Sequence, residues 1–463
     1  MFMSSTLTAN RQPIPVLVYH QIDAAPPKGR PFRSLYVAPA AFARHQPADV
    51  LAQDCHRLRR QTQEMTLPKT LPLPARRLRI AVLTRTFLPT AGGAERYAMA
   101  LVERLSDKHE FHVFSQKIEH HWPGVTYHLV SMPLRRPRWL NQLWFATATW
   151  WATRTGFDVV HSHENTWHGN VQTVHVLPIK YNLFNGRTGW TLALRCLKVM
   201  TSPRLLVYLL LERMRYAVRK GRAVVLISET LRKSFAASYP QAMAMTCVIT
   251  PGIALPALAV SDDMRRAARQ QLGLPENKFC ALFIGNDLRK KGLPALMAAL
   301  RLLPDEVVLA VVGNSAQLAY YRQQAVLMDL APRVFFVGAL QDVSPAYLAA
   351  DCLVHPTLED TFAMVVLEAM AHGLPVVVSS AKYCGISGLL AHQVNALLLD
   401  DPQDVQALAA CLLRVLTEAP LRTSLGHAAR IFAARFDWAG IAEQQEKLYY
   451  ATAQGAGKVS PQA

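Results

Sequence analysis

Asp360 and Glu368 stand eight positions apart in Glu359-Asp360-Thr361-Phe362-Ala363-Met364-Val365-Val366-Leu367-Glu368-Ala369-Met370-Ala371-His372-Gly373-Leu374-Pro375. The apolar run reads as a helix that stops at Gly373, with Pro375 beyond it. Asp360 precedes the helix and Thr361 is its candidate cap. The N–H groups of Phe362, Ala363 and Met364 then form an anion-binding helix start. Glu368 falls two turns in, among valine, leucine, alanine and methionine. A carboxylate there needs partners, because an isolated buried charge is too costly. Paired sugar hydroxyls would serve, and so would a single salt-bridging cation; the spacing leaves both open.

Three other groups have the right types for the same chemistry. Gly285-Asn286-Asp287-Leu288-Arg289-Lys290-Lys291-Gly292 is a glycine-bounded loop whose lysines neutralise a diphosphate as point charges. In Ala91-Gly92-Gly93-Ala94-Glu95-Arg96, absent side chains let backbone amides approach a phosphate or an acceptor. His161, His163 and His175 follow apolar runs. His175, at a strand end, is the candidate side chain facing a bound ligand, and His161 reads as a satisfied core residue. Spaced histidines also suggest metal, but no carboxylate cluster accompanies them, so no metal site is expected.

These groups need rigid supports. Ile80-Ala81-Val82-Leu83, Phe111-His112-Val113-Phe114 and Val159-Val160-His161 are buried-strand runs separated by helical patterns such as residues 94–106. The pattern restarts after Pro251 with Cys280–Ile284, Val307–Val312, Val334–Gly338, Cys352–His355 and Pro375–Val378. Strands alternating with helices predict parallel sheets. Two doubly wound units in tandem leave a cleft at the carboxyl ends of their strands, where ligands of open α/β sheets bind. A hydrophobic fraction of 51% supplies full cores for 463 residues and excludes a disordered chain. Seven scattered cysteines without metal or redox spacing read as buried thiols in a reducing compartment. No apolar run approaches the ~20 residues of a membrane span, and the start carries no secretion signal.

The acid pair resembles the signature of the retaining glycosyltransferases of family 4, which have the GT-B fold. The resemblance runs over about residues 79–452 and is carried in order by Gly92-Gly93, His161-x-His163 and His175, Thr250-Pro251-Gly252-Ile253, Gly285–Gly292, Gly338, the acid pair and Phe436-Asp437-Trp438. It implies an α/β fold of two Rossmann-like doubly wound domains facing a central cleft, with a C-terminal helix crossing back to the first. The implied organisation is an extension over 1–78, an acceptor-side domain over 79–252 with a return helix over 436–452, and a nucleotide-sugar domain over 253–435. It implies that Glu368 holds the ribose, that the first acid contacts the donor sugar, and that Phe362, Ala363, Met364, Gly338, Gly92, Gly93 and Gly285 meet the donor. Asp360, Lys291, Lys290 and His175 are the implied catalytic set. The family usually starts the signature with Glu; here it is Asp360, with Glu359 as a rival. Asn286 stands where most members have Arg, and Ala363 replaces a usual Gly. A narrower likeness to the lipopolysaccharide core glucosyltransferase I type rests on Gly285-Asn286-Asp287, Lys290-Lys291-Gly292 and Tyr383-Cys384-Gly385. It implies UDP-glucose as co-substrate, no further cofactor, and metal-independent transfer. Residues 13–45 resemble the opening of polysaccharide deacetylases, without that family's later metal-binding set, and read as an inactive remnant.

Net charge is +18, distributed as +7 over 1–78, +13 over 79–250 and −2 over 251–463. The basic first half favours an anionic partner. Nucleic-acid motifs are absent, so a glycolipid or lipopolysaccharide-core acceptor and an anionic membrane surface are expected instead. Arg135-Arg136-Pro137-Arg138-Trp139 with Trp144, Phe145, Trp150 and Trp151, and the arginines of residues 203–222 beside Leu205–Leu211, suit a headgroup zone; ordinary domain helices with core tryptophans are the rival reading. The expected location is the cytoplasmic face of the inner membrane, peripherally held. A nucleotide-sugar epimerase and a non-catalytic sugar-nucleotide-binding scaffold share the fold and remain alternatives.

Overall fold

Continuous apolar runs become strands covered on both faces, as parallel sheets require. The computed structural model describes residues 76–88, 92–134, 136–256 and 261–455. The strands of the first half are β1 Arg79–Leu83, β2 Thr86–Phe87, β3 Glu110–Ser115, β4 Lys117–Ile118, β5 Val125–Leu129, β6 Val159–Ser162, β7 Val171–Val174, β8 Ala223–Leu226 and β9 Thr246–Val248. Seven form one parallel sheet in the order β5-β3-β1-β6-β7-β8-β9, and β2 pairs with β4 beside it. The second half contributes β10 Phe279–Ile284, β11 Val307–Val312, β12 Val334–Gly338, β13 Cys352–His355, β14 Val376–Ser379 and β15 Leu397–Leu399. They form a parallel sheet in the order β12-β11-β10-β13-β14-β15. This is the doubly wound pair expected from the sequence.

Each sheet reverses its strand order beside its first strand, at β1/β6 and at β10/β13. Crossovers leave in opposite directions there, so the loops after those strands part and open a crevice. The Gly92-Gly93 loop and His163 follow β1 and β6. The Gly285 loop and Asp360 follow β10 and β13. The sequence motifs therefore fall at the two switch points.

The helix Trp438–Ala453 returns to the first sheet. Trp438, Ile441, Leu448, Tyr449 and Tyr450 pack with Ile80, Tyr97 and Val225. Asp437 caps it by accepting from Ala439 N at 3.1 Å, and Ile253 N donates to Phe436 O at 2.7 Å where the chain crosses. A Cβ on Gly252 would lie 2.6 Å from the Trp438 ring, so glycine is required at this junction.

Some expectations shift. Cys280, Cys352 and Cys384 are buried free thiols, but Cys196 is exposed, because it lies on a helix whose outer face has no cover. The deacetylase-like segment 13–45 and Cys55 lie outside the described residues.

Candidate active site

The loop after β10 is fixed by two glycines that no other residue could replace. A Cβ on Gly292, whose φ is +88°, would sit 2.0 Å from the Pro356 carbonyl oxygen. A Cβ on Gly313, at φ +149°, would sit 2.1 Å from Gly285 O. Gly313 N donates to Gly338 O at 2.8 Å, joining the loops after β10, β11 and β12. Asn286 Oδ1 accepts from Asn314 N at 2.8 Å, which makes this side chain a brace. The turn ends at Gly292, directly before the helix Leu293–Leu300. Lys290 N donates to Asp287 Oδ1 at 3.0 Å and Lys291 N to Asp287 O at 2.9 Å.

The two lysines then diverge. Lys291 Nζ lies 2.5 Å from Asp360 Oδ2, with both side chains largely covered. Lys290 Nζ lies 2.6 Å from Glu359 Oε1, on a more exposed rim. The inward acid is therefore Asp360 and the outward one Glu359. His355 Nε2 also meets Asp360 Oδ2, at 3.2 Å. Burial alone would push the Asp360 carboxyl up, but the His355 hydrogen bond and the Lys291 charge outweigh it and hold it well below the usual carboxylate range. His355 is itself buried; desolvation lowers its pKa against the pull of Asp360.

The helix starts later than the sequence suggested. It spans Met364–Ala371, with Ala363 as the residue directly before it and no side-chain cap from Thr361. Asp360 Oδ1 accepts from Phe362 N at 3.2 Å and Ala363 N at 2.9 Å, so those two N–H groups are already engaged. Met364 and Val365 carry the donors that open an α-helix. Ala363 has φ +71°, a left-handed conformation that disfavours a Cβ by about 1–2 kcal/mol. The usual glycine is thus a conformational requirement that the alanine meets under strain. Thr361 turns across the cleft, and its Oγ1 donates to His175 O at 2.7 Å. Ser228 Oγ, the cap of the helix Glu229–Ser238, donates to Thr361 O at 2.6 Å. These bonds seat the donor loop on the carboxyl ends of β7 and β8.

Glu368 is 7% exposed on the next turn. Its Oε2 accepts from the Tyr347 hydroxyl at 2.6 Å, and its Oε1 meets Arg96 Nη1 at 2.9 Å. Arg96 lies on the helix Gly93–Leu105, which begins at the Gly92-Gly93 loop. A Cβ on Gly93 would stand 3.7 Å from Met364 Cγ, so the two loops abut. Tyr347, Arg96, His355 and Ser228 were not singled out as site residues from the sequence.

His161, His163 and His175 form a buried chain in the first half. His161 bonds Tyr449 Oη and Thr173 Oγ1, both at 2.7 Å, as a core histidine should. His163 Nδ1 lies 3.0 Å from His175 Nε2. The His175 ring packs edge-on to Tyr97 at 5.4 Å. Burial, with the Arg215 charge behind it, pushes His175 down to about 3, and burial pushes His161 to about 3. His168 falls to about 4 for the same first reason. These imidazoles are neutral at pH 7, so His175 offers a neutral edge to the cleft and no general acid.

A pH dependence follows. The folded state excludes protons that the unfolded chain accepts below about pH 6.5. Stability is therefore complete above that pH and declines as the pH falls towards 3–4. Each such histidine contributes a slope of about 1.4 kcal/mol per pH unit in that window. Thermal unfolding followed from pH 7.5 to 5.0 should show a falling midpoint, and a flat profile would contradict neutral burial. Among the described residues no group of three or more His, Cys, Asp or Glu is placed to hold a metal ion.

With this geometry in place, comparison with known proteins decides the family. The model described as "Glycosyltransferase Family 4" matches residues 91–255, and that described as "Glycosyl transferases group 1" matches residues 264–432. The chain belongs to the family 4 glycosyltransferases. Lipopolysaccharide glucosyltransferase WaaG of Escherichia coli (strain K12) is 27% identical over 244 residues, 51% of this chain and 64% of that protein. A D-inositol 3-phosphate glycosyltransferase of Corynebacterium aurimucosum is 31% identical over 226 residues, 44% of this chain and 48% of that one. The chain thus spans from about half to under two thirds of these curated relatives. Among solved structures, WaaG matches with a TM-score of 0.68 at 21% identity, covering 80% of this chain and 98% of that chain. Anabaena Alr3699/HepE in complex with UDP and glucose matches with 0.63 at 20% identity, over 80% and 98%. At these identities the structural likeness establishes the fold, the two facing Rossmann-like domains of GT-B.

Proposed function

We propose that this family member transfers glucose from UDP-glucose, with retention of anomeric configuration and without a metal, to a lipopolysaccharide-core or other envelope glycan acceptor. The observation that carries the reading is one continuous set: Lys291 of the loop after β10 against Asp360, then the open start at Met364 beside Gly93, and Glu368 one turn further, paired with Arg96. The C1–O bond to the diphosphate breaks, and negative charge grows on the phosphate. Lys291, Lys290 and the N–H groups at Met364 stand ready where that charge develops. The acceptor oxygen bonds C1 on the same face, and its proton passes to the leaving phosphate oxygen. Glu368 accepts the ribose hydroxyls once they replace Arg96. Asp360 contacts the donor sugar, while the neutral His175 edge borders it. The likeness to a lipopolysaccharide glucosyltransferase and to D-inositol 3-phosphate glycosyltransferases supports a glucosyl donor and an anionic acceptor.

The first half adds an interfacial surface. Trp144, Trp150 and Trp151 are exposed rather than core, and so are Trp190, Leu194, Leu197 and Met200 on the helix Gly189–Met200. Trp190 is 82% exposed. Arg154 stacks on the Trp151 ring at 3.7 Å, and Arg138 and Lys198 are exposed on the same helices, which suits an anionic membrane surface at the cytoplasmic face, whereas Phe145, Arg215 and Arg222, expected at the same surface, are buried in the domain. Among the described residues no helix is long and apolar enough to cross a membrane.

The test is a transfer screen. UDP-glucose, UDP-galactose, UDP-N-acetylglucosamine and GDP-mannose are each incubated with an envelope glycolipid extract, with and without EDTA. Glucose incorporation from UDP-glucose as the α-linked product, unaffected by EDTA, is expected. Isomerised donor would replace the reading with an epimerase, and UDP binding with no transfer would replace it with a scaffold.

A further inference from the structure

A cavity of about 400 Å³ lies in the second half, away from the cleft. Two of its lining residues, Asp351 and Pro375, directly precede β13 and β14. It therefore sits at the amino ends of the strands, whereas the catalytic loops sit at the carboxyl ends. Its wall carries Arg265, Arg422, Arg430, His372 and His427 against Asp351, the one carboxylate among its described lining residues. This half of the chain is net acidic, so the concentration of cations is local.

The carboxylate is already spent. Asp351 accepts from Arg265 Nη1 at 2.7 Å, from Arg269 Nη2 at 2.8 Å and from Cys280 N at 2.7 Å. Arg265 Nε is buried without a partner. Arg422 uses Nη1 on the carbonyls of Val415 and Leu416, and Arg430 uses Nη2 on Pro256 O at 3.1 Å. A guanidinium has five N–H donors, so positive charge and donors remain. Excess guanidinium in a concave wall is the setting that binds phosphate oxygens bidentately.

We propose that this cavity binds a small metabolite carrying two phosphate groups, and that its occupancy is felt at Glu368 through Tyr347. The binding stands alone; the communication rests on Glu368 gripping the nucleotide. Two phosphates are implied by spacing. Arg422 and Arg430 lie eight positions apart on the helix Ala419–Ala433, about 12 Å along its axis, with His427 between. One phosphate meets one end, and two joined by a short polyol meet both. Arg422 closes the first turn of that helix, so the positive end of the helix dipole lies on the Arg422 side. The link to the cleft is short. The His372 ring stacks on Tyr347 with centroids 4.9 Å apart, and the Tyr347 hydroxyl holds Glu368 Oε2. His372 also ends the eight-residue helix that carries Glu368. A ligand that draws His372 shifts the tyrosine that sets the carboxylate.

The test uses the full chain and fructose 1,6-bisphosphate, with inorganic phosphate and fructose as comparison probes, by calorimetry. Because phosphates also meet the cleft lysines, the titration is run on Lys290→Ala/Lys291→Ala as well. Binding that persists there, at least tenfold tighter for the bisphosphate than for inorganic phosphate, is expected. His427→Gln/Arg430→Gln should weaken it at least tenfold. Thr423→Glu, an exposed change that adds a negative charge to the wall, should do the same without touching Arg430. Bisphosphate binding lost with the lysines, or unmoved by both cavity variants, overturns the site. In the wild type, the bisphosphate should change UDP affinity at least threefold, and UDP should change bisphosphate affinity by the same factor. Bisphosphate binding with no such reciprocity overturns the communication alone. Failure to bind UDP at all would instead count against the proposed transfer.

Discussion

Replacing Lys291 with alanine should reduce turnover with UDP-glucose by a factor of about 10²–10³, the scale for removing one preorganised group that stabilises developing charge. Lys291 reaches the cleft from a turn that Gly292 and Pro356 lock, and its ammonium lies 2.5 Å from Asp360. The same change leaves the Asp360 carboxylate with the His355 hydrogen bond and no cationic partner. Breaking one side of a buried pair destabilises by about 3–5 kcal/mol; this pair is partly open, so the loss should be smaller. Thermal unfolding of the variant separates the two effects. A folded Lys291→Ala protein with little turnover assigns the lysine to the leaving diphosphate. Near-normal turnover would remove it from the mechanism. Lys290→Ala should cost less, because Lys290 sits on the rim and pairs with the exposed Glu359.

Much of this arrangement was legible in the sequence, for a physical reason. A central parallel strand is buried on both faces, so β11 reads Val-Val-Leu-Ala-Val-Val without alternation, and all six residues are buried. Glycines at Gly292 and Gly313 mark places where any side chain would collide with a carbonyl. Those signals are local. What could not be read were partners made by tertiary packing. Tyr347 lies 21 positions before Glu368, and Arg96 lies in the other half of the chain; no spacing rule joins either to that carboxylate. Of the two meanings left open for Glu368, the structure shows the salt-bridging cation, Arg96, while the sugar hydroxyls belong to the proposed function. Ser228 carried a readable cap signal, but its second bond, to Thr361 O, is invisible in sequence. The helix start was misjudged because Asp360 draws the Phe362 and Ala363 N–H groups into the loop and Ala363 turns left-handed, which moves the first helical residue to Met364. The tryptophans needed the fold to choose between two readings: aromatic residues favour burial on average, and the structure leaves Trp144, Trp150 and Trp151 exposed.

Replacing Glu368 with alanine should weaken UDP about 100-fold, or about 2.7 kcal/mol. Both carboxylate oxygens are engaged, Oε2 by Tyr347 and Oε1 by Arg96. Ribose hydroxyls must therefore displace at least the arginine, and the net gain is the difference between two charge-assisted bonds, each about 1.5–3 kcal/mol, and the pair they replace. A partly exposed salt bridge is worth about 1 kcal/mol or less, so the exchange favours the ribose. This competition gives the two partners of Glu368 opposite signs. Glu368→Ala loses the hydroxyl contacts and weakens UDP. Arg96→Ala removes the competitor and should tighten UDP about two- to fivefold, the equivalent of about 0.4–1 kcal/mol. Calorimetric titration of UDP into the three proteins reads this contrast directly. A purely structural role for the Arg96–Glu368 pair predicts the same sign for both variants, since either one breaks the pair. Weakening by both would therefore return Glu368 to an interdomain salt bridge and leave the ribose without its anchor.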